Sequence, residues 1–227
     1  MKHSPRRINQ LARATGAQTY LEIGVFKGLT FGDVEIADRT GVDPQYRVSI
    51  EDLAGPGRTL VTDTSDGFFA GLDRSTVFDI VFLDGLHTFE QTYRDLCNAL
   101  LHTHERSLII IDDTRPITVY SAEPDIGRGK QLRRLDDAPG SGAYHGDVFK
   151  TVFAIHDFHP GLDYVTFKGE DNPQTLVWRS PSGREPRLDS FERISRLTYF
   201  DLLENLDVLK EMPEQDAIKR CLAAVNR

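Results

Sequence analysis

Only two cysteines, Cys97 and Cys221, occur in 227 residues, too few for a disulfide framework or a thiolate metal site. Both fall in helix-like contexts, where core packing is the expectation. Long apolar runs are absent as well, and nothing approaches the roughly 20 residues that span a bilayer. Near the start, Arg6, Arg7, Asn9 and Gln10 interrupt any apolar signal core. Positive charge is not in excess: 27 Lys and Arg stand against 35 Asp and Glu, a net charge of −8. That balance disfavours nucleic acid and membrane surfaces as partners. The basic segment Lys2, Arg6, Arg7 and Arg13 is the exception, and its face is expected to be solvated. Hydrophobic residues at 39% and charged residues at 27% lie outside the disordered range. The expectation is a single cytoplasmic domain spanning 1–227.

Ser4-Pro5, then Ile8, Leu11 and Ala12, with Gly16 beyond, predict an N-terminal helix within 1–18. Strand-like runs follow at Thr19–Ile23, at a segment ending in Val42, and at Thr59–Thr62, with a short helix around Thr30–Ala37 between the first two. Phe78–Leu83 and Ser107–Ile111 are so uniformly apolar that they predict strands buried on both faces, as in a parallel sheet covered by helices. Between them, Phe89, Tyr93, Leu96, Cys97, Leu100 and Leu101 form one helical stripe, with Glu90 and Arg94 spaced to pair at i,i+4. Residues 114–146 show no period. A helix over Asp147–His156 and strands at Asp163–Lys168 and Gln174–Arg179 come next, then amphipathic helices near Leu188–Lys210 and Glu214–Val225 within 187–227. This order predicts an α/β fold: a doubly wound, Rossmann-like, mostly parallel sheet flanked by helices, with a final antiparallel strand pair.

Ligands of such sheets bind beyond the carboxyl ends of the strands. Each of the five leading strand ends carries acids: Glu22 before Gly24–Gly28, then Asp43, Asp63 to Asp66, Asp84 with His87 beyond it, and Asp112-Asp113. The pair Gly24 and Gly28 permits close backbone approach, but Phe26 stands where a dinucleotide fingerprint needs glycine. An acid beside that turn suits a cationic ligand. Asp43 suits two vicinal hydroxyls, since a carboxylate accepts several hydrogen bonds. Asp84, Asp112 and Asp113 are hard oxygen donors suited to Mg²⁺ or Mn²⁺. His87 and His145 are the candidate catalytic bases.

The stretches YLEIGVFKG, GVDP, TSDGFF, FDIVFLDGLHTFEQTYRDL and IIIDDT resemble class I S-adenosylmethionine-dependent methyltransferases from about Thr19 to Thr114. The resemblance implies that Glu22, Gly24, Val25, Phe26 and Gly28 hold the methionine portion of S-adenosylmethionine. It further implies Asp43 at the ribose and Thr64, Ser65 and Asp66 near the adenine, with Asp84 at the rim of the cofactor site. The acid spacing is similar to that of metal-dependent O-methyltransferases acting on catechols and antibiotic sugars, or capping oligomannosides. That implies Asp84, Asp112 and Asp113 as ligands of Mg²⁺ or Mn²⁺ and a base at His87, with His145 its rival.

The 114–146 segment offers Arg115, Tyr120, Arg128, Lys130, Arg133, Arg134, Tyr144 and His145. Such an inventory fits a saccharide acceptor better than a flat phenol. Four other readings stay open: a phenol O-methyltransferase, a metal-dependent enzyme like the cephalosporin hydroxylases, a nicotinamide-dependent dehydrogenase, and a non-catalytic binding protein. The C-terminal helices could pack on the sheet or build a homodimer.

Overall fold

A computed structural model of the chain describes residues 3–139, 142–169, 173–181 and 183–226. Seven strands form one sheet in the order β3-β2-β1-β4-β5-β7-β6. The first five, β1 (Thr19–Ile23), β2 (Asp38–Val42), β3 (Arg58–Val61), β4 (Phe78–Leu83) and β5 (Thr103–Ile111), pair in parallel. Strand β7 (Thr175–Arg179) runs antiparallel to both β5 and β6 (Leu162–Thr166). This is the predicted mostly parallel Rossmann-like sheet with its antiparallel end.

Alternation along the strands splits the core into two layers. Val81 and Leu83 join Ile109, Ile111 and Phe89 on one side, while Ile80 and Phe82 join Leu108, Ile110 and Tyr20 on the other. The first layer packs helices α5 (Phe89–Leu101), α7 (Phe149–Phe158), α8 (Phe191–Ser195) and α9 (Tyr199–Glu204). The second packs α1 (His3–Thr15), α2 (Leu29–Asp33) and α10 (Glu214–Val225). The remaining helices are α3 (Ile50–Leu53), α4 (Ser65–Gly71) and α6 (Ile126–Leu135).

Several local expectations are corrected. Helix α2 stops at Asp33 instead of reaching Ala37, because the Asn9 side chain donates to Asp33 O and accepts from Glu35 N. Val34 and Ile36 are then free to enter the core as extended residues. Strand β5 starts at Thr103 and pairs with Phe78 across a register shift. Leu101 lies off the buried stripe of α5, and Arg94 pairs with Asp66 rather than Glu90. The segment 114–146 contains α6, whose Gly127 and Gly129 obscure its period. Leu188–Lys210 is broken into α8, α9 and a 3₁₀ turn at Leu206–Leu209, because Ser190 and Thr198 each cap a new start.

The basic face of α1 is likewise not simply solvated. Arg6 and Arg7 both reach Glu214 on α10, Arg7 is buried, and its guanidinium sits 4.5 Å from the centre of the Phe167 ring. The Arg6 hydrogen bond, helped by Arg7, outweighs partial burial and holds the Glu214 carboxyl at about 2. A lowered pKa contributes stability above the unfolded value that is lost as pH falls through the folded one. Glu214→Gln is therefore expected to cost about 2 kcal/mol at pH 7, and that deficit should shrink between about pH 4.5 and 2 in urea unfolding.

Candidate functional site

Continuation of the parallel ladder beyond the strands brings the acidic ends side by side. Asp84 N donates to Ile23 O at 2.9 Å and Asp112 N to Leu83 O at 3.0 Å, while Gly24 N reaches Val42 O at 2.9 Å. The crevice therefore opens where the strand order reverses, at β1 between β2 and β4.

The turn after β1 is fixed by its glycines. Gly24 has φ +91°, and a Cβ there would fall 1.9 Å from Asp84 O; at Gly28, with φ +69°, it would meet Leu53 at 2.5 Å. Val25 is buried, whereas Phe26 is a non-glycine residue at φ +50° with its ring largely exposed. Phe26 N donates to Asp43 Oδ2 and Gln45 N to Asp43 Oδ1, each at 2.7 Å. Asp43 thus ties the glycine turn to the end of β2 and keeps acceptor capacity on both oxygens.

Glu22 is 1% exposed and accepts a 2.6 Å hydrogen bond from Tyr20 Oη. Burial pushes its carboxyl up to about 8, against the opposing pull of Tyr20 and Arg39. Tyr20 was not singled out from the sequence, although period-two alternation in TYLEI puts it on the face of Glu22. Thr64 caps α4 by accepting from Gly67 N, Ser65 accepts from Gln91 Nε2, and Asp66 faces Arg94 at 2.8 Å. The Asp66 side chain is thereby engaged with α5, and Thr64–Asp66 is a braced helix start.

Asp84, His87 and Asp113 come together: each offers one donor atom, and the three atoms lie within 4.8 Å of one another. His87 Nδ1 is 2.8 Å from Asp113 Oδ2, and its Nε2 is 3.7 Å from Asp84 Oδ1. The Nδ1 contact lacks hydrogen-bond alignment, which leaves a buried ring nitrogen unsatisfied. Asp112 stands outside this trio. It is buried, and its Oδ1 accepts from Asp113 N at 2.9 Å. Asp113 has φ +59°, so the chain turns sharply here, and both acids line one small cavity.

Burial, and then the charges of Asp112, Asp113 and Glu22, raise the Asp84 carboxyl well above its ordinary range. Burial and Asp113 push Asp112 up to about 7. Burial pulls His87 down, yet the hydrogen-bonding reach and charge of Asp113, with the charge of Asp112, leave it raised. Burial lowers His145, whose Nε2 is 3.9 Å from Asp113 and whose Nδ1 has no partner. Concentrated anionic charge, unaligned His87 and a cavity of about 10 Å³ lined by Asp84, His87, Asp112 and Asp113 suit one small cation.

Tyr144–Asp147 clamps this loop from the far side. The Tyr144 ring stacks on His87 with centroids 5.1 Å apart, and Asp147 accepts from Phe89 N at the start of α5. Gly146 has φ +61°, and a Cβ there would lie 1.7 Å from His87 O. The sequence suggests Tyr144 only as part of the acceptor inventory and gives Asp147 no role; their spacing beside His145 is the available signal. Gly146→Ala is expected to cost about 3 kcal/mol in urea unfolding.

Residues 21–114 match the model of a methyltransferase-domain family. No curated protein matches the chain. Similar solved structures include an O-methyltransferase from Bacillus cereus in complex with S-adenosylhomocysteine (15% identity, TM-score 0.53, covering 77% of this chain and 80% of that one). A Klebsiella pneumoniae protein provisionally described as an O-methyltransferase matches at 19% identity and TM-score 0.53, over 78% and 79% of the two chains. The plantazolicin methyltransferase in complex with S-adenosylhomocysteine matches at 12% identity and TM-score 0.53, over 78% and 82%. At these identities the likeness is one of fold. No helix among the described residues is long and apolar enough to cross a membrane.

Proposed function

We propose that this chain, whose residues 21–114 match a methyltransferase-domain family, transfers a methyl group from S-adenosylmethionine to a hydroxyl oxygen, with a divalent cation at the site and a saccharide as acceptor. The observation that carries this reading is the meeting of Asp84, His87 and Asp113 beside the Gly24 turn. The backbone of Gly24–Gly28, with Glu22 behind it, fits the methionine portion, and the rim of carboxylates favours a sulfonium cation. Asp43 is positioned to accept from vicinal ribose hydroxyls while holding Phe26 N. The start of α4 at Thr64–Asp66 borders the adenine side.

Asp84 and Asp113, with Asp112 lining the same cavity, would hold Mg²⁺ or Mn²⁺ and leave His87 to act as base. When bound, such an ion lowers the pKa of a coordinated hydroxyl. His87 takes the acceptor proton on its imidazole, and Asp113 beside Nδ1 stabilises the charged ring. His145 is the alternate base. The acceptor oxygen gains the methyl carbon as the carbon–sulfur bond breaks, leaving S-adenosylhomocysteine. Much of the acceleration comes from alignment, and the 114–146 segment, braced by Tyr144 on His87, covers the acceptor side. Its polar and aromatic inventory supports a hydroxyl-rich acceptor.

The test is transfer of a labelled methyl group to a panel of mono- and oligosaccharides and catechols. Transfer to saccharides is expected, with activity falling at least about tenfold after dialysis against EDTA and returning with Mg²⁺ or Mn²⁺. Full activity in chelator would remove the ion, and transfer confined to catechols would remove the saccharide.

A further inference from the structure

The groove beside α6 narrows the class of acceptor that the 114–146 segment takes. In a chain of net charge −8, α6 carries four cations and no acid in ten residues. Lys130, Arg133 and Arg134 follow at i, i+3 and i+4, which puts them on one helical face. That face lines a cavity of about 130 Å³ together with Tyr120, Ile126 and Tyr144. Among the described residues none of the three forms an ion pair; Arg133 only lies over the Tyr120 ring, 5.7 Å from its centre.

Three neighbouring acids have partners other than these cations. Glu123 pairs with Arg128 at 3.1 Å, Asp125 caps α6 by accepting from Arg128 N, and Asp136 accepts from Tyr120 Oη. Compensation of the helix dipole accounts for basic residues in the last turn, but not for Lys130 in mid-helix. The walls are held in place. A Cβ at Gly129 would strike Tyr120 O at 2.5 Å, and Tyr144 Oη donates to Pro124 O at 2.6 Å. Tyr144 is also the residue stacked on His87, so the groove and the reacting site share a wall.

We propose that the α6 groove is an anion subsite that takes a phosphoryl or carboxylate group carried by the acceptor, with Lys130, Arg133 and Arg134 as its donors. The site names a charged class of hydroxylated acceptor and rests on the methyl-transfer reading only for the reaction it serves. Charge-assisted hydrogen bonds from ammonium and guanidinium groups supply the attraction, and Tyr120 and Tyr144 set the width.

The test is calorimetric titration with inorganic phosphate, acetate and neutral glucose, on protein saturated with S-adenosylhomocysteine, for the wild type and the double variant Lys130→Gln/Arg134→Gln. Expected is saturable binding of at least one anion and none of glucose. The double variant should bind that anion about tenfold more weakly, and added salt should weaken binding in the wild type. Preference for phosphate assigns a phosphoryl group, and preference for acetate a carboxylate. Absence of binding by both anions, or equal affinity in the double variant, would overturn the proposal. Circular dichroism of the variant confirms its fold. If S-adenosylhomocysteine itself fails to bind, the methyl-transfer reading falls, and the anion titrations on the free protein decide the groove separately.

Discussion

Asp113→Asn is expected to lower kcat for methyl transfer by about 100-fold to 1000-fold while leaving S-adenosylhomocysteine affinity within about threefold of wild type. Asparagine is the appropriate replacement because Asp113 sits at φ +59°, a backbone state that asparagine adopts readily and alanine does not. The substitution therefore removes charge and leaves the turn. Asp113 lies against His87 at 2.8 Å and supplies one of the three clustered donor atoms. Its loss affects both the imidazole and the proposed ion. By contrast, the glycine turn that would hold the cofactor is supported by Asp43 and Asp84 O, not by Asp113. The measurement is steady-state kinetics with labelled S-adenosylmethionine, paired with calorimetry. Turnover within a factor of three of wild type would remove Asp113 from the reaction. A matched loss of cofactor affinity would make its role structural.

Gly24→Ala should act in the opposite way, on the cofactor first. The added methyl would have to occupy space 1.9 Å from the Asp84 carbonyl oxygen, and alanine at φ +91° is strained even where space exists. The Asp84 carbonyl cannot yield cheaply, because it is backbone just beyond the end of β4 and Asp84 N is held by Ile23 O. The turn must move, and the amides that face the crevice move with it. Binding of S-adenosylhomocysteine is expected to weaken by at least about 100-fold, roughly 3 kcal/mol, with a concurrent fall in the urea midpoint. Thermal unfolding with and without ligand separates the two effects: the wild type should be stabilised by ligand and the variant not.

Much of this arrangement is legible in the sequence because it follows from local rules. Uniformly apolar runs at Phe78–Leu83 and Ser107–Ile111 predict strands buried on both faces, and the sheet places them next to each other. Once those strands are parallel neighbours, Asp84 and Asp112-Asp113 must end on one rim. Which of two adjacent carboxylates turns toward His87 is not legible, since it depends on the positive φ at Asp113. Helix α6 escaped because Gly127 and Gly129 weaken its propensity, and Gly129 is there to clear the Tyr120 carbonyl, a tertiary reason. The pairing of Arg7 with Glu214 spans 207 residues, and that of Arg94 with Asp66 spans 28. Both bring together partners whose proximity is created only by the finished fold.

The central claim is that the carboxyl ends of β1, β2 and β4 form a cofactor crevice adjoining an acidic ion site. Its most direct test is calorimetric titration of the purified protein with S-adenosylhomocysteine, in EDTA and again with excess Mg²⁺. The account predicts saturable binding at one site per chain, weakened at least about 100-fold by Gly24→Ala and retained in Asp113→Asn. An absence of saturable binding under both conditions would contradict it.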